Sequence, residues 1–328
     1  MNSVKLIKAR HLRKGDTVSI IAPASPPFNP GILEYSTEWL SKLGLRYKLG
    51  KNVFRSYSDL AGTDEARLDD LHAAFADPDV SAIIPVRGGN GVVRMLPKLD
   101  FDLVAKNPKI LIGYSDLTGL INPIYQRTGL VTFHGPMAGT FYRSSYCHYY
   151  FQRALMSNKA LGLIVDPIPP ELWSPKYPPP RMVIAEGKAQ GPVVGGCMTL
   201  IKQLMGTPYE IDTEGKIVFL EDVSEEPHSI DRYLTQFLLS GMLHKAKAII
   251  VGECYQCEPA ASGRLRLSLN KSIEKVLRDR LSGLGIPVVY GLRLGHGQDQ
   301  FTLPIGVNAS LEASKGKVKF KIEEAGTI

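Results

Sequence analysis

KILIGYSDLTGLINPIYQRTGLVTFHGPM, residues 109–137, reads as strand, helix, strand. KILIGYSD is a short hydrophobic strand, DLTGLINPIYQRTG is the helix that follows it, and LVTFHGPM is a further strand. A strand, a crossing helix and a second strand in close succession are the repeating unit of a parallel sheet. The same alternation extends back to residue 16. TVSIIAPAS forms a first buried strand, and Ile32 to Leu43 follows with Ile32, Leu33, Trp39, Leu40 and Leu43 at helical spacing, stopping at Gly44. LRYKLG is a short strand. Thr63 is an N-cap candidate for the next helix, which has acids in its first turn and Leu68, Leu71 and Phe75 on one face. SAIIPVRGG is a strand running into glycines.

Further along, residues 167–180 hold seven of the 23 prolines, a density that excludes helix and central strand. Either this is an ordered linker with its aromatics packed down, or it is a loop over the site, to which Trp173, Tyr177 and Arg181 would bring recognition chemistry. Beyond it GPVVGG, KIVFLED, KAIIVGE, PVVYGL, QFTLPIG and KVKFKIEE read as strands, with helices at Met198 to Met205, Ser229 to Met242 and Lys271 to Leu281. The expected fold is α/β. A doubly wound, flavodoxin- or Rossmann-like parallel-sheet domain at 1–160 is joined by a Pro-rich segment, 161–187, to a smaller mixed β/α domain at 188–328.

Composition narrows the function. A chain of 328 residues with 44% hydrophobic and 22% charged side chains is long enough for two cored domains and is not of disordered or fibrous type. The net charge of +7 sits entirely in residues 1–55, which hold ten basic and three acidic side chains. A nucleic-acid surface would show a basic, aromatic-interleaved stripe, so no nucleic-acid partner is expected. No apolar stretch reaches the roughly 18–20 residues of a membrane span, and the basic N-terminus lacks an apolar core before a cleavage site. A cytoplasmic location without membrane attachment follows as the expectation. Four cysteines are too few for a disulfide scaffold, and Cys254 and Cys257, alone in GECYQCEP, read as filler before they read as a metal or redox pair.

The chemistry concentrates at a few positions. In Gly113-Tyr114-Ser115-Asp116 a hydrophobic strand delivers Ser115 to a turn and Asp116 opens a helix, which exposes the hydroxyl and aims helical N–H groups at charge forming beside it. A serine that only caps a helix gives the same local pattern. Arg87-Gly88-Gly89-Asn90-Gly91 ends another strand; its amides suit a phosphate or an oxyanion hole, and a plain tight turn accounts for it as well. A serine nucleophile needs a base and an orienting acid. His296, between glycines in LGHG, suits the base, and His134 in FHGP is its local competitor. His11, His72, His148, His228 and His244 read as surface residues. Glu221 and Asp222 end the strand IVFLED, so alternation sends one into a cleft and the other to solvent or a helix cap.

Taken together, GDTVSIIAPASP, AGTDEARLDDLHAAFADPDV, AIIPVRGGNG, NPKILIGYSDLTGL, GLVTFHGPM, GTPYEID, IVFLEDVSEEPHSIDRYLTQ, LRLGHG and TLPIG resemble, in order, the LD-carboxypeptidases of serine peptidase family S66. That family includes muramoyltetrapeptide carboxypeptidase and the microcin C immunity hydrolases. The resemblance implies a Ser-Glu-His triad of Ser115, Glu221 and His296, split between the two domains, and release of terminal D-alanine from cell-wall tetrapeptides through an acyl-enzyme. It implies a homodimer and requires neither metal nor organic cofactor. The N–H groups of Asp116 and the Gly88-Gly89 loop would form the oxyanion hole; Arg87, Asn90 and Trp173 would bind substrate, unless Arg87 is a structural ion-pair partner. Two departures bear on substrate: Asn90 stands where an aromatic is usual, and Gly195-Gly196-Cys197-Met198 stands for G-G-N-L. An aminoacyl-nucleotide hydrolase is the rival within the family, and a non-catalytic ligand-binding α/β protein the rival outside it.

Overall fold

A computed structural model describes residues 5–29, 31–141, 144–168, 181–258 and 272–328. The chain divides into two compact units, the first of residues 1–161, 301–306 and 325–328, the second of residues 162–300 and 307–324.

In the first unit, β1 (Thr17–Ile21), α1 (Ile32–Lys42), β2 (Arg46–Leu49), α2 (Asp64–Ala76), β3 (Val80–Pro85), α3 (Phe101–Lys106), β4 (Ile110–Leu111), α4 (Thr118–Thr128), β5 (Phe133–His134) and α5 (Ser145–Leu155) follow in turn. Strands order as β2-β1-β3-β4, all parallel. β1 is buried along its whole length, the hydroxyl residues Thr17 and Ser19 included, as befits a strand of a sheet covered on both faces. Thr63 caps α2, its hydroxyl accepting from the Ala66 amide at 3.3 Å. The stretch LVTFHGPM yields only two strand residues, which pair antiparallel with β12 (Leu303–Pro304). QFTLPIG, read from its pattern as a strand of the second block, thus belongs to the first unit. Periodicity reports that a strand exists and carries no information on which sheet receives it.

The second unit holds β6 (Gly162–Leu163), β7 (Met182–Ala185), β8 (Gly187–Cys197), α6 (Met198–Leu204), β9 (Ile217–Glu221), α7 (Pro227–Leu239), β10 (Ala248–Gly252), α8 (Ile273–Leu281), β11 (Val288–Leu292), β13 (Asn308–Ser314) and β14 (Lys317–Ile322). Eight strands order as β6-β14-β13-β8-β9-β10-β11-β7. β8 serves two partners: residues 187–192 pair antiparallel with β13, and residues 193–197 pair parallel with β9. The parallel core β8-β9-β10-β11 is buried throughout in β9, β10 and β11. Each fully buried aliphatic or aromatic side chain there stabilises the fold by about 1.5–3 kcal/mol. The 161–187 segment is not all connector: β6 and β7 lie within it, at the two ends of the eight-stranded sheet. Trp173 and Tyr177 lie outside the described residues. Among the described residues no helix is long and apolar enough to cross a membrane.

Candidate active site

Both units place their polar residues at the carboxyl ends of parallel strands, where open α/β sheets bind ligands. In the first unit, β4 leads through Gly113 and Tyr114 to Ser115, which adopts φ +61°. Left-handed backbone in a residue with a β-carbon costs roughly 1–3 kcal/mol and persists only where its surroundings impose it. Here a three-residue 3₁₀ turn, Ser115–Leu117, leads directly into α4. Gly113 permits that turn, because a β-carbon there would stand 2.7 Å from the Leu117 side chain. Within residues 109–125 every residue except Ser115 is buried. The hydroxyl is thereby offered at the one point where this strand-turn-helix meets open space.

The glycine loop closes on Ser115. A β-carbon on Gly88 would lie 2.9 Å from Ser115 Cβ and Oγ and 3.3 Å from the Asp116 amide. Gly89, at φ +133°, packs on Ser25 in the loop after β1, where a β-carbon would meet Oγ at 2.1 Å. Asp116 ties the turn to this loop, its Oδ2 accepting from the Val92 amide at 3.0 Å. Arg67, fully buried on α2, donates to the carbonyls of Pro23 at 2.5 Å and Gly91 at 3.0 Å, which joins the loops after β1 and β3. Sequence reasoning passed over Arg67. The signal was present: it lies four residues before Leu71, a cation on the face of α2 that packs inward. Arg87 is half-buried, its guanidinium 3.6 Å from the centroid of the exposed Phe28 ring, and among the described residues no carboxylate pairs with it. Asn90 is exposed and donates its amide to Asp59 at 3.2 Å.

In the second unit Glu221 ends β9 and is completely buried, and its Oε2 lies 2.8 Å from Nδ1 of His296. Neighbouring Asp222 turns the other way and accepts from the amide and hydroxyl of Thr199 at 2.9 and 3.0 Å, in the first turn of α6. The open choice between the two acids resolves into one partner for the imidazole and one cap for a helix. The glycines of LGHG have a steric reason. A β-carbon on Gly295, at φ +101°, would fall 2.2 Å from Glu221 Oε2, and one on Gly297 would fall 1.7 Å from Glu253 Oε2. Backbone therefore lies directly on two carboxylates, with His296 between them.

Three of the other six histidines have local partners that account for them. His134 is fully buried on β5 with its ring edge-on to Tyr114. His148 is no surface residue, since it stacks on Trp39 at 4.5 Å within a cluster that includes Phe141 and Phe151. His72 accepts from the Asp100 amide at 3.0 Å. Cys254 and Cys257 are free and buried, and burial raises the pKa of both thiols, to about 12 for Cys257, which suppresses thiolate chemistry.

Three carboxyls here titrate high because burial penalises their charge: Asp116 and Asp222 to about 6 and Glu253 to about 7. Groups that bind protons more tightly folded than unfolded contribute stability that is full below their unfolded values near 4 and is lost as pH rises through 6–7. Half-buried His72, whose pKa burial lowers, acts in the opposite sense. With three groups against one, the thermal midpoint is expected to rise as pH falls from 8 to about 5.5, a window fixed by these shifts. Asp222→Asn combined with Glu253→Gln should flatten that slope. A midpoint that falls steadily over the window in the unaltered protein would contradict this assignment.

Comparison with known proteins adds identity to this geometry. The LD-carboxypeptidase N-terminal domain model matches residues 18–135 and the LD-carboxypeptidase C-terminal domain model, of the same S66 peptidases, matches residues 190–311. The probable murein peptide carboxypeptidase of Bacillus subtilis is 38% identical over 97% of this chain and 95% of its own. Among solved structures, an MccF-like protein from Bacillus anthracis superposes with a TM-score of 0.84 at 29% identity, covering 97% of this chain and 99% of the other. Muramoyltetrapeptide carboxypeptidase from Oxalobacter formigenes does so with a TM-score of 0.79 at 28% identity, covering 94% and 99%. The fold expected from the strand-helix alternation is the fold found, and with both domain models matched in order the chain belongs to the LD-carboxypeptidase family of S66 peptidases, as a serine-type carboxypeptidase.

Proposed function

We propose that the enzyme hydrolyses the L,D-amide bond before the terminal D-alanine of a cell-wall tetrapeptide, with Ser115 as nucleophile, His296 as base and Glu221 as its orienting acid. The observation that carries this is the 2.8 Å contact between Glu221 and His296 Nδ1. A buried carboxylate at Nδ1 holds the ring proton there and makes Nε2 the basic nitrogen. His296 Nε2 would take the proton of Ser115 Oγ as that oxygen attacks the amide carbon. The imidazolium, stabilised by Glu221, then returns the proton to the departing amine of D-alanine. Water hydrolyses the resulting ester by the same sequence, releasing the shortened peptide and restoring the serine.

The oxyanion of each tetrahedral intermediate would be met by the amide of Asp116 and an amide of the Gly88-Gly89 loop. The packing of Gly88 against Ser115 supports this, and loss of one such donor typically costs about 3 kcal/mol. Arg87 would take the free carboxylate of the substrate. Its half-buried guanidinium rests on an aromatic face and has no acidic partner among the described residues, and burial lowers its pKa, so an incoming carboxylate completes a pair instead of displacing one. Asn90 and Trp173 remain proposed substrate contacts. A cytoplasmic homodimer completes the proposal.

Incubation with a muropeptide tetrapeptide and, separately, with an aminoacyl adenylate analogue tests the assignment, with products read by mass. Release of D-alanine is the expected result. Cleavage of the nucleotide conjugate alone would transfer the enzyme to the microcin C immunity branch.

A further inference from the structure

The loop that bears His296 rests on a row of buried charges that the proposed reaction does not use. Glu253, one residue past β10, and Arg293, one residue past β11, are each 4% exposed and meet at 2.6 Å between Oε1 and Nη1. Arg293 Nε also approaches Asp166 at 4.0 Å, and Asp166 bonds Arg181 Nε at 2.9 Å. In sequence, Asp166 and Arg181 stand before and after residues 169–180. The Tyr290 hydroxyl donates to the Glu253 carbonyl at 3.1 Å. Between Arg293 and the histidine the chain turns tightly, the Leu294 amide bonding to the Leu292 carbonyl at 2.7 Å. Beyond the histidine, Gly297 sits on the second oxygen of Glu253.

A buried ion pair is a poor source of stability, because desolvation of both charges offsets their attraction, and apolar replacements of similar volume are often neutral or better. What such a pair supplies is position. The Glu253 carboxylate is held by Arg293 through one oxygen, and the Gly297 backbone packs closely over the other, leaving no room for a β-carbon, while Arg293 anchors the opposite end of the same turn. We infer that Glu253 and Arg293 are positioning residues for His296: their ion pair, continued through Asp166 to Arg181, sets the ring at the height and angle at which Nδ1 meets Glu221. The inference rests on the proposed role of His296 as base.

The test is a double-mutant cycle in the full-length protein. At pH 8, above the pKa of about 7 to which burial raises Glu253, Glu253→Gln and Arg293→Met each strand one buried charge, and each is expected to lower both stability and kcat. The double variant removes both charges together. It is expected to melt within a few degrees of the parent while kcat for D-alanine release falls by about 10- to 100-fold, the scale for an ångström-sized misplacement of a reacting group, with KM changed less than about twofold. Arg293→Lys, which keeps the charge, should recover part of kcat.

A second readout needs no substrate. The proton between His296 Nδ1 and Glu221 should give a downfield NMR resonance in the unaltered protein, and in the double variant that resonance should shift or broaden. A double variant with full kcat and an unmoved resonance overturns the inference. If the unaltered enzyme releases no D-alanine, the substrate assignment fails, while the resonance still decides whether Glu253 and Arg293 position the ring.

Discussion

Ser115→Ala will reduce D-alanine release by about 10⁴-fold or more while leaving substrate binding largely intact. The first half of that expectation follows from non-additivity within a triad, where loss of the nucleophile alone removes nearly all that the three residues supply together and leaves only the contribution of the oxyanion hole and binding. The second half follows from placement. Arg87 and the glycine loop do not depend on the hydroxyl, since the space beside Gly88 is bounded by the Ser115 β-carbon as well as by Oγ, and alanine keeps that carbon. Backbone strain separates chemistry from folding. Alanine at φ +61° remains in the left-handed region, whereas Ser115→Gly relieves it and should raise stability by up to about 1 kcal/mol in an equally inactive protein. Isothermal titration with intact tetrapeptide, together with thermal melts of both variants, checks each part. Near-normal turnover by Ser115→Ala would remove the serine from the mechanism.

Glu221→Gln is the second large effect, with an expected loss in kcat of about 10³- to 10⁴-fold. A glutamine is nearly isosteric, so the backbone of Gly295 keeps its bed. The amide, however, presents either a neutral acceptor or a donor to Nδ1, and in the latter case the imidazole adopts the tautomer whose Nε2 carries a proton and cannot act as base. Asp222 cannot substitute, because its carboxylate is committed to Thr199 at the start of α6 and to the Val223 amide at 2.9 Å. The companion Asp222→Asn should leave kcat within a fewfold of the parent and lower stability through the helix start. Steady-state kinetics on the two neighbours distinguish them; equal loss at both would mean that the acids act as one coupled unit.

The two kinds of information in the chain differ in how they were legible. Apolar runs such as KIVFLED and KAIIVGE announce buried parallel strands because they are short, rich in β-branched residues and bounded by charged residues. Thr63 announces a helix start because its hydroxyl has a specific amide to satisfy. By contrast, α5 mixes polar and aromatic residues whose direction depends on partners far away in sequence, such as Trp39 stacked on His148, and β13 alternates regularly but builds its buried face from small side chains, Ala309 and Ala313 about Leu311. At the site, alternation could say only that Glu221 and Asp222 part company. The choice between them depends on a helix start at Thr199 and a glycine at 295, both non-local. Arg67, Glu253 and Arg293 were missed for a related reason: a buried cation or acid looks like surface in one dimension, and only its partners reveal that it is interior.

The first unit takes residues 301–306 and 325–328 from the end of the chain. β12 pairs with β5, the Ile305 amide bonds the Thr132 carbonyl at 2.8 Å, and the Ile328 amide bonds the Ala9 carbonyl at 3.0 Å. During synthesis the ribosome must therefore deliver the whole second unit before the first can close its last hydrogen bonds. Nucleation can begin early on β1, β3 and β4, whose contacts are comparatively local, but completion waits for pairings separated by up to about 320 residues, the kind that slow folding most. The nascent serine-bearing half spends that interval without the segments that pack on Phe133, Pro304 and Gly326 among them, so residues 301–306 and 325–328 complete the first unit's fold only after the second unit has been made.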